Sequence, residues 1–350
     1  YVSATGSGDT YSFTIDYALI YGGSVSEGDS IQYFVVAQHA ANNLASSPAG
    51  ATASANPPVQ NIDGKPAAGV NRYRIRTFNG TVTVGPGGSY PSLTGVGGLF
   101  AALNSSWLTG NLTVNLTGDT IENGSSVLSA FDLDRNNYPP VANPPFTVTI
   151  RPDGATMRTI SGTASNGLIC LDGAQRVTID GSFGGSGRYL TFRNTNTGIN
   201  AATLLFTNDA SNNWVSHTVI EGATTGGAGV VNFTRGVVTG NDNNTITGNQ
   251  IRDLSNAAVV PGTLIYSYGT SDAVANSNNI ISHNEMFNFT YAGFYVRFGS
   301  ESWNISGNTI YQTSERTASV IGIWLYGTGT NMIHANVIHD LNYNSAAISI

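Results

Sequence analysis

The sequence predicts an all-β protein in which a right-handed parallel β-helix, with a short capping helix at its N-terminal end, follows part of a β-sandwich. Three observations predict this fold: a short apolar phrase recurs over residues 179–336, apolar and polar residues alternate elsewhere, and charged residues are scarce. Charged residues make up 10% of the 350 residues and hydrophobic ones 40%, whereas an ordinary soluble domain has about 25% charged residues. The chain can therefore bury a core, but amide and hydroxyl groups must keep its surface wet.

The charge balance argues against a nucleic-acid partner. The chain carries a formal charge of −7 and its only lysine is Lys65, so it offers no basic stripe for a phosphate backbone. No apolar run reaches the ~18 residues that a membrane-spanning helix requires. Cys170, the only cysteine, lies in an apolar run and is predicted to be a small buried core residue.

The first 57 residues show the pattern of antiparallel β structure. Apolar residues alternate with polar ones over residues 11–15 and 31–35, and glycine-rich turns lie between these runs. The segment Gly28–Gln38, followed by Ala41-Asn42-Asn43, resembles the last strands of immunoglobulin-like or fibronectin-like modules of secreted bacterial proteins. The resemblance implies that residues 1–57 are the C-terminal part of such a module.

A linker and a short helix are predicted ahead of the β-helix, which we assign to residues 89–350. Residues 58–88 are assigned to the linker and the strands that follow it, because the Pro- and Ala-rich stretch ending in Asn56-Pro57-Pro58 cannot feed a central ladder. Between Ser92 and Asn104, apolar residues recur at helical spacing, and Ser92 or Thr94 is available as N-cap. Glycines weaken this helix as a free-standing element, so we expect it to cover the open end of the solenoid core.

The run from Ser89 to Asn104, with the alternating strand Gly110–Asn115, resembles the start of β-helix regions in large secreted proteins of Bacteroidota. The resemblance implies a pectin-lyase-like β-helix and an extracellular or cell-surface location. It also implies export by type IX secretion. Because the chain opens and stops in mid-pattern, we expect a fragment whose C-terminal sorting signal lies outside it.

One phrase, an apolar residue followed three positions later by a small or polar one, predicts the coils. Its copies begin at Ile179, Ile220, Ile246, Ile281, Ile305 and Ile333. The uneven spacing suits coils of ~20 to 45 residues with variable loops rather than the regular blades of a propeller. The last four copies carry an asparagine, at Asn249, Asn284, Asn308 and Asn336. Stacked coils would let each buried amide bond to the next, so we predict a structural asparagine ladder.

Three strands that end at Gly269, Gly299 and Gly327 carry the candidate binding residues. Alignment on these glycines places Tyr268, Phe298 and Tyr326 in one column and Tyr266, Val296 and Trp324 in another. An outward column would stack on sugar rings, whereas an inward one would be core and would leave Tyr295 and Arg297 on the surface. Arg297 favours the inward interpretation because an unpaired guanidinium is costly to bury, but Ile323 and Leu325 share its face and favour the outward one. The candidate binding residues are Tyr266, Tyr268, Tyr295, Arg297, Trp324 and Tyr326.

The sequence offers no evident catalytic constellation. A polysaccharide lyase needs a base beside a cation that neutralises the substrate carboxylate, and the predicted β-helix has no lysine and only scattered arginines. Candidate acids and bases, each more simply explained as structural or surface residues, are His283, Glu285, His334, His339 and Asp340. Residues 132–136 resemble the start of a calcium loop, but Asn137 replaces its glycine and Asn143 its final acid. We therefore predict neither a metal nor a cofactor.

These patterns favour a non-catalytic secreted or cell-surface protein, an adhesin or scaffold whose partner is a polysaccharide or a cell-surface glycan. One alternative is a polysaccharide lyase or glycoside hydrolase that acts on an acidic polysaccharide. Another is a structural filament or spacer. The ligand, any catalytic activity and the oligomeric state stay open at this point.

Overall fold

The computed structural model divides the chain into two compact units, Tyr1–Thr77 and Phe78–Ile350. It describes residues 4–7, 10–20, 25, 29–38, 44–47, 49–53, 62–64, 70–74, 77–129, 146–326 and 329–341. Nearly all regular structure in these ranges is β.

The described part of the first unit contains pairs of short antiparallel strands. In chain order its strands are Thr5–Ser7, Thr10–Ser12, Ser30–Tyr33, Val35–Gln38, Leu44–Ser47, Thr52–Ala53, Ile62–Gly64 and Asn71–Arg74, and a 3-10 helix spans Tyr17–Leu19. Because Ser30–Tyr33 pairs with Asn71–Arg74, the β structure of this unit continues past residue 57. The immunoglobulin-like assignment of residues 1–57 stays a prediction.

The second unit is a parallel β-solenoid whose coils contribute strands to three sheets, called sheets 1, 2 and 3 below. Sheet 1 contains Thr77–Val84, Trp107–Leu116, Val148–Pro152, Val177–Asp180, Trp214–Ser216, Thr245–Thr247, Ile280–Ser282, Asn304–Ser306 and Met332–His334. Sheet 2 contains Thr120–Glu122, Arg158–Gly162, Leu190–Asn194, Thr218–Gly222, Gln250–Arg252, Glu285–Phe287, Thr309–Tyr311 and Val337–Ile338. Sheet 3 contains Leu128–Ser129, Gly167–Asp172, Ala202–Thr207, Gly229–Phe233, Thr263–Ser267, Ala292–Val296 and Ile321–Leu325. A small parallel pair joins Asn276–Ser277 to Ser300–Glu301. The predicted stacking of parallel coils is confirmed.

Inward-facing side chains of equivalent strands stack in columns and fill the interior, as the alternation of side chains along a strand requires. The buried column of sheet 1 is Ile150, Ile179, Val215, Ile246, Ile281 and Ile305. This column corrects the predicted repeat, because Ile220 lies in sheet 2 and pairs with Phe192 and Ile251. The true counterpart is Val215. Because Thr218 stands where the last four copies have asparagine, the sequence pattern points to Ile220 in the next sheet instead.

The asparagines of the repeat form a hydrogen-bonded ladder where sheet 1 turns into sheet 2. The Nδ2 of Asn249 donates to Oδ1 of Asn284 (3.1 Å). In the same way, Nδ2 of Asn284 donates to Oδ1 of Asn308 (3.0 Å), and Nδ2 of Asn308 donates to Oδ1 of Asn336 (2.9 Å). Each Nδ2 also donates to a backbone carbonyl, as Asn284 does to Ile246 (2.9 Å). Buried amides are thereby satisfied along the solenoid axis.

Two further ladders were not predicted. Asn213, Asn244 and Asn279 are joined by Nδ2 to Oδ1 bonds of 3.0 and 3.1 Å, and Asn241 donates in the same way to Asn276 (2.9 Å). The sequence carried a signal for the first of these, since Asn244 and Asn279 each stand two residues before an isoleucine of the repeat.

A single α-helix within the described residues, α1 (Leu99–Asn104), covers the first strand of sheet 3. Its Asn104 side chain donates to the carbonyl of Val127 (2.8 Å) and accepts from the amide of Ser129 (2.9 Å). The helix is shorter than the predicted span from Ser92: it begins at Leu99, and its N-cap residue Gly98 provides no side-chain cap. Val96, one of the apolar residues that recur at helical spacing in the predicted span, is 91% exposed.

The helix α1 starts later than predicted because a carboxylate distant in sequence binds the backbone amides just before it. Glu122, buried in sheet 2, accepts hydrogen bonds from the amides of Leu93 (2.8 Å) and Thr94 (2.6 Å). The hydroxyls of Thr94 (2.7 Å) and Thr120 (2.9 Å) donate to the same carboxylate. With its amides committed to Glu122, the segment before Gly98 is held in an irregular conformation that sequence periodicity does not reveal.

Candidate functional site

Successive coils of sheet 3 carry aromatic side chains on their outer face. Tyr266, Tyr295 and Trp324 occupy equivalent positions in register. The residues that precede them face inward, and two of these, Ile265 and Phe294, are fully buried, so the aromatic residues face outward. Ring centroids of Tyr295 and Trp324 lie 4.6 Å apart with nearly parallel planes, and Tyr266 meets Tyr295 edge-on at 5.6 Å.

This register corrects the alignment on the closing glycines. Val296 pairs with Ser267 and Leu325 and is fully buried, whereas Tyr295 takes the place predicted for Val296 between Tyr266 and Trp324. One more residue separates the strand from its glycine in this coil than in the flanking coils. A shift of one residue moves every side chain to the opposite face, so Tyr266 and Tyr295 lie on the same face.

A second outer position continues the same face two residues further along each strand. The amide of Arg297 bonds to the carbonyl of Ser267 (2.9 Å) and the amide of Tyr326 to that of Val296 (2.7 Å), which places Arg297 and Tyr326 at equivalent positions. Tyr268 precedes them, bonded to the carbonyl of Phe233 (3.0 Å). The structure therefore brings all the sequence-predicted binding residues together on one surface.

Two aromatic residues outside the predicted set complete this surface. Tyr291 packs against Tyr295 (5.5 Å) and Trp324 (5.8 Å), and Phe298 lies 6.4 Å from Tyr268, measured between ring centroids. The sequence does not identify either one as a binding residue. Tyr291 lies before its strand, and Phe298 appears only in the column aligned on the closing glycines. We call the whole surface the aromatic face; it consists of Tyr266, Tyr268, Tyr291, Tyr295, Arg297, Phe298, Trp324 and Tyr326.

The half-buried rings support others that are open to solvent. Tyr291 and Phe298 are each 41% exposed and Tyr326 is 68% exposed, whereas Tyr266, Tyr295 and Trp324 are half-buried in their stack. The hydroxyl of Tyr291, like any ordinary phenol, is protonated at neutral pH, and burial, with the neighbouring Tyr295, raises its pKa further. The aromatic face thus combines apolar ring surface with neutral phenol hydroxyls.

Arg297 lies in the middle of the aromatic face. Its guanidinium carbon is 5.3 Å from the ring centroid of Tyr268 and 5.2 Å from that of Tyr295, distances typical of cation–π contacts. Its Nη1 lies 3.5 Å from the hydroxyl of Tyr266, and this hydrogen bond raises the pKa of Arg297. A second guanidinium, of the exposed Arg235 from the preceding coil, lies 5.5 Å from the ring of Tyr268.

The candidate acids and bases lie away from this face. Glu285 and Tyr311 are joined on sheet 2 by a 2.8 Å hydrogen bond from the phenol, and the ring of His339 stacks on Tyr311 at 5.0 Å while its Nδ1 lies 2.7 Å from Asp340. His283 lies at the turn that follows the strand Ile280–Ser282 of sheet 1, and His334 ends the last strand of that sheet. Residues 132–136 and 143, considered for calcium, lie outside the described residues.

A cavity of about 530 Å³ lies near the turn from sheet 1 to sheet 2 and is lined by Gly187, Arg188, His217, Val219 and Gly248. Arg188 donates to the carbonyl of Gly248 (3.0 Å), and His217 Nδ1 lies 3.3 Å from a carboxylate oxygen of Asp180. A base and a cation therefore share this cavity. In the described ranges no cluster of three or more His, Cys, Asp or Glu side chains could hold a metal ion, and no helix is long and apolar enough to cross a membrane.

Comparisons with known protein families, with curated proteins and with solved structures find no match for this chain. What the aromatic face can bind is therefore inferred from its own geometry. It offers exposed rings, phenol hydroxyls and a cation on a rigid, strand-borne surface.

Proposed function

We propose that this chain is a non-catalytic secreted or cell-surface protein that binds a glycan on its aromatic face. The observation that carries the proposal is the packing of exposed Tyr291 against the stacked pair Tyr295 and Trp324, on a face that also exposes Phe298 and Tyr326. Tyrosine and tryptophan combine an apolar ring with a polar tip. Such residues can cover the apolar face of a sugar ring and hydrogen-bond its hydroxyls.

Rigidity supports binding of an extended chain. Residues 292–296 pair on both sides with strands of the neighbouring coils, so the rings that they carry are ordered before a ligand arrives. A ligand then loses less free energy to the ordering of the protein than it would on a flexible loop. Because the aromatic positions repeat along the solenoid axis, the surface suits a polymer better than a single compact sugar.

The proposal is tested by screening the chain on a glycan array and measuring affinity for the retained glycans by calorimetry. Tyr326→Ala and Tyr291→Ala should each weaken binding by about fivefold, since an aromatic contact contributes about 1 kcal/mol. Phe183→Ala is the matched control, because Phe183 is 46% exposed but lies outside the aromatic face.

Two results would contradict the proposal: no glycan is retained, or the control lowers affinity as much as the tyrosine variants do. The cavity beside Arg188 and His217 supplies the enzymatic alternative. Unsaturated or shortened polysaccharide products that disappear in His217→Ala would favour a lyase or hydrolase over a binding protein.

A further inference from the structure

We infer that the glycan bound on the aromatic face is anionic, a polysaccharide that carries carboxylate or sulfate groups. The inference rests on the proposed function and names its ligand class. It is carried by two arginines, Arg235 and Arg297, that lie among the rings without a carboxylate partner in the described part of the chain.

Several other arginines of the solenoid are paired with acids. Arg193 and Arg252 both bond to Glu221, and Arg158 bonds to Asp153 at 2.7 Å. Arg297, in contrast, contacts only rings and a phenol among the described residues, and Arg235 likewise lies over a ring. In a chain of net charge −7, the aromatic face therefore carries a local positive charge.

The environment of Arg297 also strengthens its attraction for an anion. The neighbouring rings partly cover Arg297, and an ionic hydrogen bond gains strength where the local dielectric is low. Nε of Arg297 is buried and has no hydrogen-bond partner among the described residues. The guanidinium is a planar fork that binds carboxylate and sulfate oxygens in pairs, and the rings of Tyr268 and Tyr295 hold it in place for a charged sugar substituent.

The neighbouring rings determine where the charged group lies. Tyr268 is contacted by both guanidinium groups, at 5.5 Å from Arg235 and 5.3 Å from Arg297. A sugar beside Tyr268 is therefore within the field of two cations, whereas one on Tyr291, at the opposite end of its strand, meets mainly the rings of Tyr295 and Trp324. We expect charge recognition at the Tyr268 side and ring stacking at the Tyr291 side.

The test compares matched pairs of polysaccharides that differ only in charge: polygalacturonate with its methyl ester, and dextran sulfate with dextran. The intact chain should bind the charged member of at least one pair about tenfold or more tightly, and this preference should shrink as salt screens the interaction. The two pairs distinguish a carboxylate ligand from a sulfate ligand.

Arg297→Gln should reduce the preference for the charged member about tenfold, and Arg297→Lys should retain part of it. Arg235→Gln, at an exposed position where folding is little affected, should reduce it as well. Arg151→Gln is the control, since Arg151 is an exposed arginine of sheet 1 that bonds to Asn115. Thermal unfolding of each variant separates loss of binding from loss of fold.

Equal binding of both members of each pair, or a preference that neither arginine variant changes, would overturn the inference while leaving glycan binding intact. If no polysaccharide of either kind binds, the proposed function falls together with it. These outcomes are distinguishable because the neutral polysaccharides report ring stacking alone.

Discussion

At the scale of single residues, what decides the effect of a buried asparagine is whether its amide has partners. The side chain of Asn284 accepts from the amide and Nδ2 of Asn249 and donates to Asn308 and to the carbonyl of Ile246. Asn232, which pairs with Leu205 and Tyr266 on the outer side of sheet 3, is 7% exposed, and its Oδ1 has no partner among the described residues. The same residue type is thus satisfied in one place and unsatisfied in the other.

Replacement of each asparagine by leucine should therefore have different effects on the free energy of unfolding. Asn284→Leu should lower the free energy of unfolding by about 3 kcal/mol or more, because several buried polar groups lose partners and each costs about 1–3 kcal/mol. Asn232→Leu should leave it unchanged or raise it by about 1 kcal/mol, because it removes an unsatisfied buried oxygen beside Leu205. Urea unfolding followed by circular dichroism measures both changes.

Equal losses in the two variants would show that the hydrogen bonds of the ladder are not what stabilises the turn. Asn256→Leu is a control for the substitution itself, because Asn256 is exposed in a surface turn and does not have a left-handed backbone that leucine would strain. We expect it to change the free energy of unfolding by less than about 0.5 kcal/mol.

The sequence made the first ladder predictable because stacking forces the same residue type to recur at the same turn. The aromatic face was less accessible. Its residues were selected correctly as a group, but their columns were misassigned, since one extra residue before Gly299 shifts the register. Arg235 could not be found, because its contact with Tyr268 joins separate coils and follows no sequence spacing.

At the scale of elements, the capping helix depends on a carboxylate that lies outside it. Glu122 fixes Leu93 and Thr94 just before α1, with the hydroxyls of Thr94 and Thr120 as further donors. Sequence periodicity located the helix, since Leu99, Phe100 and Leu103 are indeed buried. It could not place the start of the helix, because Glu122 is distant in sequence and reveals its role only once the coil has closed.

Glu122→Gln should destabilise the solenoid by about 2 kcal/mol or more. Glutamine keeps one acceptor oxygen but turns an amide donor towards groups that themselves donate, and hydrogen bonds to a charged group contribute about 1.5–3 kcal/mol each. Chemical unfolding of the variant measures the loss. Asp153→Asn is the matched control, since it removes a partly exposed ion pair with Arg158 that should contribute less than about 1 kcal/mol. Similar values for the two variants would show that Glu122 does not anchor the segment before α1.

At the scale of the whole molecule, the solenoid class follows from the sequence because a repeated interior imposes repeated apolar positions. The interior is one continuous cluster that runs from Phe78 to Val320, with Phe206 and Phe233 stacked at 4.5 Å and Trp303 edge-on to Phe233 at 5.1 Å. What this molecule binds is a different question, because packing in the interior does not determine which residues stand on the outer face.

Cys170 provides a measure of how cooperatively this continuous core unfolds. It lies in a small second cluster with Ala202 and Leu205, and its burial, with a smaller contribution from Asp172, raises the pKa of the thiol to about 12. Because thiolate is the reactive form and access is blocked, the folded chain at pH 8 should not react with a disulfide reagent.

In guanidinium chloride, thiol reactivity should appear at the same midpoint as the loss of circular dichroism, since the coil that carries Cys170 shares its core with the coils on both sides. A variant that combines Cys170→Ala with Val238→Cys should react at once, because Val238 is 71% exposed. Thiol reactivity at clearly lower denaturant than the spectroscopic transition would show instead that coils near this end open independently, as weakly coupled repeats do.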